Sequence, residues 1–231
     1  MLSLIDWALM AAGFALQFLV MQVMLRGPWR EYPWVFAYLV WSPLSTVVQL
    51  SFKHHFGPRS REFVRAYWTA DFVGTCLILL LIIHLIWRAM EGRPNRNVVY
   101  GGLLAGVLGL AVGVVLYMRW TQRTFLLGAW MTELGRNYYF LATLLNAILW
   151  FTLMKVNHPD RRLYLITSGM GLTLSGAAIA HALRVTRTLL PLTGGLLVGS
   201  YLLSLYVWYV AFRGVRGVET TPAAFPARTP S

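Results

Sequence analysis

Seven stretches of about 20 mostly apolar residues, each closed by an arginine-bearing turn, fill almost all of this 231-residue chain. Each is long enough to cross the hydrocarbon core of a bilayer. Lipid offers no water to unsatisfied backbone groups, so a run of this kind crosses as a helix whose N–H and C=O groups bond to one another. The sequence therefore predicts an all-α, polytopic membrane protein: a seven-transmembrane-helix bundle over residues 1–213, followed by a disordered polar tail over 214–231. The expected spans are 4–25, 34–52, 67–87, 98–118, 138–154, 164–183 and 190–212. Short turns rich in Gly, Pro, Asn and Arg join them. The first run lacks a basic leader region and is too long for a signal peptide, so it reads as a retained span.

Charged residues make up 12% of the chain, about half of what a soluble domain carries. The net charge of +12 comes from cations spread over nearly every turn, which matches anionic lipid headgroups. No basic stripe interleaved with aromatics is present, so nucleic acid is excluded as a partner. Trp7, Trp29, Trp34, Trp68, Trp87, Trp120 and Trp208 fall near expected helix ends, where an amphipathic ring sits half wet. The N-terminus and the even-numbered turns, called the amino side below, hold nine of the twenty Lys and Arg, against eleven on the other side. That bias favours an outside N-terminus and an inside C-terminus. Cys76 has no second cysteine with which to form an internal disulfide.

One connection, 119–136, has helical content of its own. Leu126, Leu127, Trp130, Met131 and Leu134 recur at helical spacing. Either an interfacial helix occupies 124–134, or the fifth helix begins early and bends near Gly135. The fourth span carries Gly102, Gly106, Gly109 and Gly113, the sixth Gly169, Thr173 and Ala177, and the seventh Gly195 and Gly199. Small residues four apart let a neighbouring backbone approach, and packing within the bundle is the expected use rather than a dimer face.

Polar residues inside the spans are the functional candidates, because burying them in lipid is costly. Pro43 interrupts the second span, and Tyr38, Ser42, Ser45 and Gln49 share one face around it, which places them in the interior. Asp71 shares a face with Tyr67 and Thr75, four residues either way. Alternating helix directions set Asp6, Asp71 and His181 at similar depth on the amino side, with Gln49, Tyr138 and Thr193. The expected ligand-binding set is thus Asp71, His181, Asp6, Gln49, Thr75 and Tyr67, a polar vestibule with Asp71 and His181 paired across the third and sixth helices. The alternative is that each snorkels, or pairs with a turn arginine such as Arg65 or Arg184. His84, with Arg88 one turn on, reads as interfacial, and Asn146 as an interhelical hydrogen-bonding residue.

Specific chemistries find little support. Lys53 and Lys155 lie at helix ends, which removes a retinal-type Schiff base. His54 and His55 are in a turn and His158 faces the other side, leaving only Asp6, Asp71 and His181 for zinc. No nucleophile elbow is present, and His84 and His181 lie on opposite sides, which removes a haem ligated by both. No cofactor or metal is expected. Tyr32-Pro33 leading into Phe36-Ala37-Tyr38-Leu39, the Ala66-Tyr67-Trp68 start of the third span, and Tyr206, Trp208 and Tyr209 resemble an uncharacterised family. Its members are seven-helix membrane proteins of similar size that are abundant in acidobacteria. The resemblance implies a bacterial cytoplasmic-membrane protein without a soluble domain, and no substrate; the family's acidic residue late in the third helix is replaced here by His84.

Three activities are thereby carried forward. The first is a receptor-like or accessory module binding a small molecule or lipid, or a membrane-protein partner. The second is a small transporter or channel, which requires broken helices and a polar path to both faces. The third is an intramembrane enzyme with Asp71 and His181 in contact.

Overall fold

The structure is a computed structural model that describes residues 4–58, 60–121, 127–155, 160–183 and 190–213. The proposed tail, 214–231, lies outside the described residues, as do the side chains of Asp6 and His181. Seven α-helices and no strand occur among the described residues: α1 (Leu4–Leu25), α2 (Pro33–Phe56), α3 (Arg61–Ala89), α4 (Arg96–Thr121), α5 (Leu127–Met154), α6 (Arg161–Leu183) and α7 (Leu190–Arg213). A single tight turn, Pro28–Arg30, precedes α2. All but α4 are long and apolar enough to cross a membrane; the apolar stretch described in α4 is the shorter Arg96–Leu110. This is the make-up of a membrane-embedded helical bundle.

Helix ends follow local chemistry. Pro33 opens α2, where a missing N–H costs nothing. Gly57 closes it with φ 83°, a conformation that side chains avoid. The Ser60 hydroxyl accepts from the Phe63 N–H at 3.0 Å and starts α3 six residues before the expected span. Asp160 caps α6 in the same way, accepting from the Arg162 N–H at 2.9 Å. α5 runs unbroken from Leu127, so the fifth helix begins early and 127–134 is not a separate interfacial helix.

Neighbouring helices pack mainly as α6 on α7, α2 on α3, α5 on α6, and α1 on α7, with α3 also touching α4 and α5. Apolar side chains gain little from leaving lipid for one another, so close fit decides which helices pair. The tightest seam is α6–α7. A Cβ on Gly169 would stand 2.5 Å from the Trp208 indole nitrogen, and one on Gly176 would collide with Ser200. Trp208 is fully buried and donates to the Ile166 carbonyl at 3.0 Å, which corrects its assignment to an interfacial belt. Trp120, 90% exposed, fits the belt. The glycines of α4 behave differently from expectation: a Cβ at Gly102, Gly106, Gly109 or Gly113 would meet nothing within 4 Å among the described residues. Gly195 and Gly199 are equally open.

Candidate functional site

Pro43 sets up the interior of α2. An α-helix bonds the N–H of each residue to the carbonyl four earlier, so proline at 43 leaves the Leu39 carbonyl without its donor. Gln17 of α1, a buried residue, supplies one: its Nε2 donates to Leu39 O at 2.7 Å. A buried carbonyl left bare would cost about 1–3 kcal/mol, so this bond holds α1 against the interruption. One turn beyond, Ser45 and Thr46 hydroxyls both donate back to the Ser42 carbonyl, at 2.8 and 3.1 Å. Ser42 itself shares a 2.9 Å hydrogen bond with the Tyr201 hydroxyl of α7.

Against α2 and α3 lies a small polar cavity of about 130 Å³. Tyr38, Ser42, Ser45 and Gln49 face it from α2, Asp71 and Thr75 from α3, and Tyr139 from α5. Gly74 leaves room for the Trp41 indole, 3.4 Å from where its Cβ would be, and Trp41 Nε1 donates to the Ala70 carbonyl at 3.2 Å. At 1.5 Å per residue, the cavity lining runs from about 10 Å (Gln49) to about 27 Å (Tyr38) in from the amino-side ends of α2, α3 and α5. Asp71 is in the third turn of α3, because that helix starts at Arg61.

The donor inventory gives the site its character. The Ser45 hydroxyl proton is turned back on α2, the Thr75 hydroxyl donates to the Asp71 carbonyl at 2.9 Å, and the Trp41 N–H is bound to α3. The Ser45 and Thr75 oxygens keep lone pairs to accept with, and Asp71 lines the cavity beside them together with Gln49 and Tyr139. A pocket that holds a carboxylate in a low-dielectric surround favours a ligand that brings donors or positive charge.

Of the six residues expected from the sequence, the structure brings Asp71, Thr75 and Gln49 together. Tyr67 is not among the residues that line the cavity; it is 36% exposed and packs edge-on against Trp68 with ring centroids 5.2 Å apart. The backbones of Asp6 and His181 lie in α1 and α6, and α3 touches α6 only marginally. Tyr138, expected at this depth, instead turns toward Phe72, and its neighbour Tyr139 lines the cavity. Asn146 is buried beside Gly171 at the α5–α6 seam, but its Oδ1 has no hydrogen-bond partner among the described residues. No group of three His, Cys, Asp or Glu that could hold a metal occurs among the described residues.

The opposite end of the bundle is polar in another way. The Glu31 carbonyl accepts from Arg88 Nη1 at 3.0 Å and from His84 Nε2 at 3.3 Å, so that ring nitrogen carries a proton. The Glu31 carboxylate lies 3.8 Å from both Arg88 and Arg162. Tyr32, fully buried, has the Arg88 guanidinium 4.3 Å from its ring centre and donates to Asp160 at 3.1 Å. Burial pushes the Tyr32 phenol well above its usual range, Asp160 and Glu31 add to the rise, and Arg88 opposes it. The aromatic motifs near Tyr32 form a seam here: Tyr32 meets Phe212, and Tyr38 meets Trp208, both edge-on. Comparison with protein-family models, curated proteins and solved structures finds no match to this chain.

Proposed function

We propose that this chain is a receptor-like or accessory binding module that crosses a bacterial cytoplasmic membrane seven times, N-terminus outside and C-terminus inside. Its site is the amino-side cavity, and its ligand is small and rich in hydrogen-bond donors, with a primary ammonium group the best fit. The observation that carries the reading is the convergence of Ser42, Ser45, Gln49, Asp71, Thr75 and Tyr139 on one cavity within apolar helices. A purely structural polar cluster would direct its donors and acceptors at one another. Here the hydroxyls of Ser45 and Thr75 donate to backbone, so their protons are not spent on the other cavity side chains.

A small transporter is the second reading, and the α2 interruption favours it. The helix bordering the cavity lacks a backbone bond at Pro43 and borrows one from Gln17, a joint at which α2 could pivot. Saturation-transfer NMR on purified protein with butylammonium, butanol and butyrate as probes tests the site. The expected order of binding is butylammonium, then butanol, with butyrate silent, and Asp71→Asn abolishes the preference for the cation while Tyr32→Phe does not. Equal transfer to all three probes, or an Asp71→Asn profile like that of the parent, refutes the assignment. Flux of the same cation in proteoliposomes separates transport from binding alone.

A further inference from the structure

A second, larger space borders α2 at Thr46, one turn from the cavity residue Ser42. It is a groove of about 500 Å³ between α1 and α7, walled by Leu9, Met10, Phe14, Leu197, Val198 and Leu202. Its polar lining is confined to Gln17, Thr46 and Tyr201. Two of these meet α2 at the residues already described: Gln17 bonds Leu39, and Tyr201 bonds Ser42. The groove and the polar cavity share no lining residue. They approach one another at the Ser42–Tyr201 pair, since Ser42 belongs to the cavity and Tyr201 to the groove.

That partition is a place for an amphiphile. We infer that the groove and the cavity together bind a single-chain amphiphile drawn from the bilayer, its apolar chain between α1 and α7 and its ammonium head passing the Ser42–Tyr201 pair to reach Asp71. The inference rests on the proposed cavity site and adds the tail and the route. The groove supplies apolar walls for a chain, and one of them, Val198, is 37% exposed. The partition itself is one hydroxyl–phenol hydrogen bond in which either oxygen can donate. An entering ammonium group can donate to both oxygens in turn, so neither is left bare in transit.

Protein in lipid nanodiscs is exposed to dodecylammonium bearing a chain-end diazirine, irradiated, and mapped by peptide mass spectrometry, with butylammonium as competitor and as a separate NMR ligand. Adducts are expected on the groove walls of α1 and α7, with dodecylammonium binding at least about tenfold tighter than butylammonium. Gly13→Phe, which fills the groove, should remove the adducts and that tenfold advantage while leaving butylammonium binding intact. Tyr201→Phe should speed dodecylammonium association. Adducts spread equally over the exposed face of α4, or a Gly13→Phe protein that labels like the parent, would overturn the amphiphile inference and leave the cavity reading standing. Loss of butylammonium binding from the parent protein itself would overturn both. Gly13→Leu serves as a second groove-filling variant should Gly13→Phe fail to fold.

Discussion

The two ends of the bundle use polar residues for opposite purposes. At the Pro28–Arg30 end, Glu31, Tyr32, His84, Arg88, Asp160 and Arg162 are tied to one another, mostly by contacts that join one helix or turn to another. At the amino-side cavity, the Ser45, Thr46 and Thr75 hydroxyls bond within their own helices, while Ser42–Tyr201 and Trp41–Ala70 cross between helices. A residue that cross-links helices contributes to stability, whereas one that satisfies itself locally and faces a cavity contributes to recognition. The difference predicts that substitutions at the first end will damage the fold and those at the second will damage binding.

The largest effect belongs to the seam that anchors the first end. Gly169→Ala pushes a methyl group into the Trp208 indole and should cost about 1–3 kcal/mol, visible as a lower unfolding midpoint in mixed micelles. Gly106→Ala, in open space on α4, should leave the midpoint unchanged or slightly higher. If both behave alike, close packing does not distinguish α6–α7 from α4. Next comes Gln17. Gln17→Leu should cost about 1–3 kcal/mol in the parent, because the Leu39 carbonyl loses its donor. In a Pro43→Ala background, where the backbone N–H returns, the same change should cost well under half as much. A double-mutant cycle that closes additively would show that Gln17 and Pro43 are not coupled.

Smaller effects sharpen the contrast. Tyr32→Phe removes the hydrogen bond to Asp160 and should cost about 1 kcal/mol with probe binding unaltered. Glu31→Gln breaks contacts of a half-exposed carboxylate and should cost under about 1 kcal/mol, less still at high salt. A large loss there would mean that the ion pairs, and not the Tyr32 seam, hold that end together.

Much of this was legible before the structure. Long apolar runs with arginine at their ends locate the helices, because lipid permits little else. The 4-3-4 spacing of Tyr38, Ser42, Ser45 and Gln49 puts them on one face, and the i, i+4 relation of Asp71 and Thr75 does the same for α3. The same spacing admits Tyr67, which leaves the group because successive i+4 positions drift around the helix and rise one turn each. Tyr138 and Tyr139 sit about 100° apart on α5, and only the docking of α5 on α3 decides which of them reaches the cavity. Pro43 announces an unbonded carbonyl, yet the identity of its rescuer depends on where α1 lies. Trp208 reads as interfacial from its position near a helix end, and is buried because Gly169 makes a notch for it. Glycine spacing alone did not tell the notched α6 from the open α4.

The most direct test is the reactivity of single cysteines in membranes, with Cys76→Ala as background. Ser45→Cys faces the cavity, while Leu44→Cys, on the next residue, replaces a side chain 51% exposed at the periphery of α2. If the amino-side cavity is hydrated and holds a carboxylate, Ser45→Cys reacts with aminoethyl methanethiosulfonate much faster than Leu44→Cys does. It also prefers that cationic reagent over the anionic sulfonatoethyl analogue, a preference that Asp71→Asn erases. Equal, slow labelling of both cysteines by both reagents would contradict the account.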